Sequence, residues 1–210
     1  MLDRIHWLGH DAFRVDGPMT IYFDPYQIGE GNPKADLILI SHDHFDHCSP
    51  EDVEHIRGEE TVIVTIPAAA EKLSGDIRII HPGDAVSVRG IEVEAVPAYN
   101  VNKFRSPGEP FHPKEAGHVG FVITVEGKRI YHAGDTDHIP EMADLEPVDV
   151  ALLPVSGVYV MTAEEAIEAA RTIEPGIAIP MHVGRGIGSP DAAARFRDDA
   201  PVDVVVLEME

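Results

Sequence analysis

ADLILISHDHFDHCSP, residues 35–50, passes without a break from a mainly apolar run into three histidines and two aspartates. The first six residues read as a buried strand. Where such a strand ends the chain turns, and side chains leaving the turn can converge on one point. His42 and His44 are two apart, so their imidazoles face the same side of an extended turn, while Asp46 and His47 arrive from the turn that follows. Neutral imidazoles and carboxylates suit Zn²⁺, Mn²⁺ or Fe²⁺. A polar loop that happens to be rich in histidine is the plainer alternative. The spacing at a strand end favours metal.

The chain has 210 residues, enough for one sizeable core, and its length predicts a single domain over 1–210. A hydrophobic share of 44% is that of a folded globular chain. Against 16 basic residues stand 37 acidic ones, a formal net charge of -21. That charge repels nucleic-acid backbones and anionic lipid, so neither nucleic acid nor membrane is expected as a partner, and a small-molecule substrate is. No stretch approaches the ~20 apolar residues of a membrane span, and MLDRIHWLGH lacks the basic start and apolar core of a signal peptide. One cysteine, Cys48, rules out an internal disulfide and fits a reducing cytoplasm. A homo-oligomer is left open.

Short β-branched runs fill both halves. Segments 4–9, 12–17, 19–24, 37–41, 61–65, 77–80, 85–89, 91–96, 119–125, 128–134, 148–155, 176–181 and 202–209 read as strands. Helices open at Ser49-Pro50, at the capping box Thr162–Glu165 and at Ser189-Pro190. Strands and helices alternate only in places, with hairpins between, so two sheets faced by helices are expected rather than one doubly wound sheet. The loop 97–117 is long for a compact domain and is therefore expected to carry function.

H-x-H-x-D-H after an apolar strand resembles the metallo-β-lactamase superfamily, and further residues extend the likeness in chain order. Asp24 in IYFDPY, Asp135 in RIYHAGDTD and His182 in AIPMH each follow a strand, as the family's remaining site residues do. IHWLGHDAFRV and PAYN…FHPK…VGFVI resemble its lactonase-like and phospholipase-D-like branch. The resemblance implies an α/β (α+β) fold, a four-layer αββα sandwich with a metal site at one edge. It also implies two divalent ions, most often Zn²⁺, bridged by Asp135. Asp24 is expected behind the metals, accepting an N–H from a ligand histidine, with a turn aspartate before Pro25 as the alternative. His10 is expected to hydrogen-bond near the site.

The chain departs from the family at Asn100, where another histidine ligand would be expected. Asn ligates weakly, so His112 in FHPK is expected to fold back and replace it, with His118 the lesser candidate. His42, His44 and His112 would then hold one ion, and Asp46, His47 and His182 the other. Asp46 and Asp135 are the expected catalytic carboxylates, Asp46 orienting the attacking water or taking its proton. Asn100, Lys103, His138 and Arg185 are expected to face substrate. Arg185 lies in the glycine-rich turn before a helix, and Lys103, Arg105 and Lys114 cluster in the 97–117 loop of an otherwise acidic chain, which points to an anionic substrate. The reaction expected is metal-assisted hydrolysis of an ester, lactone or phosphodiester. The alternative is a non-catalytic metal-binding or sensor protein whose site Asn100 has weakened.

Overall fold

The structure, a computed structural model, describes residues 1–184 and 186–210. Its strands in chain order are β1 (Ile5–Gly9), β2 (Ala12–Val15), β3 (Ile21–Phe23), β4 (Ala35–Ile40), β5 (Arg57–Thr65), β6 (Asp76–Ile79), β7 (Ala85–Val88) and β8 (Ile91–Pro97). They continue as β9 (Phe104–Ser106), β10 (Glu109–Pro110), β11 (Val119–Val125), β12 (Lys128–His132), β13 (Val150–Pro154) and β14 (Ile177–Met181). The helices are α1 (Pro50–Ile56), α2 (Pro67–Ala70), α3 (Ala163–Ile173) and α4 (Pro190–Asp199). One sheet runs β1-β2-β3-β4-β5-β6 and the other β14-β13-β12-β11-β8-β7. Pairing is antiparallel from β1 to β3 and parallel from β3 to β6. In the second sheet β12, β13 and β14 are parallel.

The sheets face one another across a shared core. Phe23 of β3 stacks on His132 of β12 with ring centroids 4.9 Å apart. Fully buried Phe13, Leu39, Phe121, Ile130 and Leu152 belong to the same cluster. α3 and α4 pack on each other and on β13 and β14, while α2 rests against β6, giving the expected αββα order. The sequence start signals operate as read. Ser49 Oγ accepts from Asp52 N, and Thr162 and Glu165 close a reciprocal capping box.

The C-terminal segment differs from expectation. Residues 202–209 form no regular strand; Val204 bridges Ala178 of β14 and Met209 bridges Trp7 of β1. β14 and β1 are the outer strands of the two sheets, so the segment passes from one sheet edge to the other and pairs with each only briefly. Loop 97–117 holds the small hairpin β9–β10 and a 3-10 turn at Lys114–Ala116. No helix among the described residues is long and apolar enough to cross a membrane.

Candidate metal centre

β3 and β4 are parallel, as are β12 and β14 through β13, so their C-terminal ends open onto one rim. Asp24 follows β3, His42 follows β4, Asp135 follows β12 and His182 follows β14. Backbone strain collects there. His10, Asp24 and His182 have φ of 53°, 40° and 59°, a region side-chain-bearing residues seldom occupy and one that clusters at functional sites. Gly134, at φ 63°, lies so close to β11 that a Cβ would stand 2.8 Å from the Val119 carbonyl oxygen; only glycine lets β12 turn there toward Asp135.

Four imidazoles converge on the Asp135 carboxylate. Nε2 lies 4.0 Å from it in His42, 3.3 Å in His47, 3.1 Å in His112 and 3.4 Å in His182. Among the described residues none of these nitrogens has a partner of acceptable hydrogen-bond geometry, and all are buried. In each ring the other nitrogen, Nδ1, is fixed from behind: by Ser41 Oγ at 2.9 Å for His42, and by Asp24 Oδ2 at 2.8 Å for His47. Asn100 Oδ1 at 3.0 Å does so for His112, and Ser156 Oγ at 2.9 Å for His182. A partner on Nδ1 sets the ring's orientation and leaves Nε2 to bind, the arrangement usual behind metal-ligating histidines. Orphaned buried nitrogens around one carboxylate fit the donor set of divalent ions. His42, His44 and His112 form one group whose donor atoms all lie within 4.8 Å of one another; His42, His47 and Asp135 form a second, and His10, Asp11, His47 and His182 a third.

The electrostatics follow from burial and neighbours. Burial pushes a carboxylate up, but His47, His182 and His112 hold Asp135 well below the usual range. His47 moves the other way: against burial, Asp135 and Asp24 raise it well above an ordinary histidine. Burial, reinforced by His47, keeps His42 well below it, and burial with His112 lowers His44. Two imidazoles of the first group are thereby held neutral, the form that ligates metal.

The other expected residues take different places. Asp24 lies behind the centre as anticipated, accepting from Ser41 N, Ser41 Oγ and His47 Nδ1. His10 is fully buried at the site, its ring centroid 4.4 Å from that of His182. Among the described residues Asp46 belongs to none of the close donor groups; its Oδ2 lies 3.4 Å from His10 Nε2. Burial raises Asp46, but the nearby His10 and His47 outweigh it and bring the carboxyl down to about 2.

Three residues expected to face substrate do not line the cleft. Asn100 is buried, its Oδ1 occupied by His112 N and Nδ1 and its Nδ2 by the Tyr159 carbonyl. Lys103 is paired with Glu165 at 2.6 Å and Asp137 at 3.4 Å. His138 turns toward α3, where Nε2 meets Thr172 Oγ1 at 2.9 Å. Arg185 lies outside the described residues. His118 is buried beside the imidazoles of His42 and His112 but joins no close donor group among the described residues; burial and His112 hold it at about 4.

Sequence reasoning missed Asp11, Ser41, Ser156, Phe111 and Tyr159. Only Asp11, next to His10, carried a usable signal: a second ionisable residue in a predicted turn. His44, Phe45, Asp46, Arg105, Phe111, His112, Asp135 and Tyr159 line a cleft of about 360 Å³ over the centre. The Arg105 guanidinium sits 5.6 Å above the Phe111 ring, which meets Tyr159 edge-on at 4.7 Å. No carboxylate among the described residues pairs with Arg105.

The sequence pattern of the beta-lactamase superfamily domain matches residues 4–182. A UPF0173 metal-dependent hydrolase of Methanoculleus marisnigri is 37% identical over 185 residues, covering 85% of this chain and 80% of that one. Its counterpart from Methanopyrus kandleri is 34% identical over 98% of this chain and 96% of its own length. The crystal structure of a metal-dependent hydrolase candidate from Parabacteroides distasonis superposes with a TM-score of 0.86 at 33% identity, covering 98% of this chain and 93% of that one. With the αββα order, the histidine-ringed Asp135 and these matches together, the chain belongs to the metallo-β-lactamase superfamily and, within it, to the UPF0173 metal-dependent hydrolases.

Proposed function

We propose that this protein is a two-metal hydrolase acting on an ester, lactone or phosphodiester of a small anionic molecule. One observation carries the reading: four buried, unpartnered Nε2 atoms surround one carboxylate, with every Nδ1 already held. His42, His44 and His112 would hold one ion, and His47 with His182 the other, with Asp135 between them. Zn²⁺ suits this nitrogen and oxygen set, which Mn²⁺ and Fe²⁺ share. When bound, such ions acidify water and polarise a carbonyl or phosphoryl oxygen.

The chain's own residues supply the rest. Asp46 lines the cleft with its carboxylate ionised at neutral pH, in position to accept a proton from an attacking water. Phe45, Phe111 and Tyr159 offer an apolar lip for the body of a substrate. Arg105 supports the anionic part of the reading. In a chain of net charge -21, a guanidinium over the metal cleft without an acidic partner among the described residues suits a substrate carboxylate or phosphate. The same net charge favours small molecules over nucleic acid. The sensor alternative loses its motive, because Asn100 supports His112 rather than standing in for it.

Hydrolysis by the Zn²⁺- or Mn²⁺-loaded protein, compared between anionic and neutral esters, tests the reading. Arg105→Ala is expected to raise KM about tenfold or more for anionic substrates and much less for neutral ones, the loss of one charge-assisted hydrogen bond. Equal effects on both classes would remove the anionic assignment, and absence of hydrolysis across both would remove the enzyme reading.

A further inference from the structure

The chain has one tryptophan, Trp7, and its indole is tied to the histidine-ringed centre through a shared carbonyl. The His10 carbonyl oxygen accepts the Trp7 Nε1–H at 2.9 Å and the His182 backbone N–H at 3.3 Å. A carbonyl oxygen carries two lone pairs, one for each donor. His10 follows β1 and His182 follows β14, the outer strands of the two sheets, so this oxygen joins the sheets at the rim. Both residues stand at left-handed φ, 53° and 59°, a conformation that persists only where the surroundings hold the backbone in place. Ser156 fixes the ring of His182 through Nδ1, and the His10 carbonyl fixes its backbone.

Trp7 is itself held. Glu210 N donates to its carbonyl at 3.0 Å, Met209 bridges the same residue, and Phe13 of β2 stands opposite it. The ring is partly buried against the core. A Cβ placed on Gly184 would stand 3.8 Å from Trp7 Cη2, so the ring's outer edge also lies against the turn two residues beyond His182. We propose that Trp7 is a positioning residue for the metal centre. By holding the His10 carbonyl it fixes the backbone of His182, and with it the place from which that imidazole reaches its ion. Without the indole N–H the carbonyl keeps one donor and is free to tilt, and the His182 amide loses its alignment. The role presupposes His182 as a metal ligand, the reading given above, and is independent of hydrolysis.

Because Trp7 is the sole tryptophan, ¹⁵N-labelled protein gives one indole cross-peak, a probe that needs no substitution. Zn²⁺ is titrated into the full-length chain after stripping with a chelator, and bound ions are counted in parallel after desalting. The cross-peak is expected to move as zinc binds, and its N–H to exchange more slowly with solvent in the loaded protein. Trp7→Phe keeps an aromatic body and removes the donor. Affinity for one ion is expected to fall about fivefold, the loss of one neutral hydrogen bond, and Tm to fall more in the loaded protein than in the stripped one. Replacing Trp7 with β-(3-benzothienyl)alanine, which puts sulfur in place of the N–H within the same ring shape, is expected to do likewise and serves should Trp7→Phe fold poorly. Wild-type zinc affinity in these replacements, whether or not the cross-peak moves, would overturn the role of Trp7 alone. So would an equal loss of Tm with and without zinc, the mark of a residue that only packs. A wild-type chain that binds no zinc would overturn the metal reading and this proposal with it.

Discussion

Asn100 and His112 clasp each other. The Asn100 backbone N–H donates to the His112 carbonyl at 2.8 Å, while Asn100 Oδ1 accepts from His112 N at 2.8 Å and lies 3.0 Å from its Nδ1. The residue that looked like a lost ligand therefore orients the one expected to replace it.

Asn100→Ala should consequently act on metal before it acts on chemistry. Freed of its acceptor, the His112 ring loses its fixed orientation, and affinity for the first ion is expected to fall about 10–100-fold. Asn100→Asp keeps an acceptor and should retain most of the affinity. Competition titration with a chromogenic chelator reads both, and wild-type affinity in Asn100→Ala would show that His112 needs no such support.

Asp24 holds three donors at once, Ser41 N at 2.7 Å, Ser41 Oγ at 2.6 Å and His47 Nδ1 at 2.8 Å. Asp24→Ala would leave Ser41 N and His47 Nδ1 without this acceptor and Ser41 Oγ with His42 Nδ1 as its remaining partner, a loss of about 3 kcal/mol. For a chain of this size that lowers Tm by roughly 6–12 °C. A melting curve within a degree or two of wild type would mean that the surrounding groups find other partners.

Cys48 stands beside His47 in sequence yet is buried, its Sγ turned to the Ala69 carbonyl at 3.8 Å. Burial pushes the thiol up to about 11 from 9.0. At pH 8 both values lie above the pH, so the thiolate fraction drops about 100-fold relative to a free thiol. Iodoacetamide should leave the native protein unlabelled over a time that fully labels it in denaturant. Rapid labelling of the native chain would contradict a purely packed thiol.

Much of this site was legible because its signals are local. His42, His44 and His47 lie within one strand-end turn, whereas Asp135 and His182, each beyond an apolar strand, were singled out by the resemblance to the family. The helix caps at Ser49 and Thr162 are equally local. The misses were long-range. Lys103 read as a free charge in a loop, but its partner Glu165 is 62 residues away; Lys114 is likewise paired with Glu141 at 2.7 Å. Arg105, in the same loop, is the one that lines the cleft. No sequence rule separates a charge held by a distant acid from one left for a ligand. Asp11 was passed over because a turn aspartate is ordinary, and only burial between two sheets makes it unusual.

Asp135 is expected to lie between two ions, one at His42, His44 and His112 and the other at His47 and His182. An anomalous-scattering map from crystals of Zn²⁺-loaded protein, collected across the zinc edge, locates both directly. Two peaks are expected, each about 2.0–2.2 Å from the Nε2 atoms of its own histidine group, with the Asp135 carboxylate reaching both. A single peak in fully loaded crystals, or a His112 imidazole turned away from either peak, would contradict it.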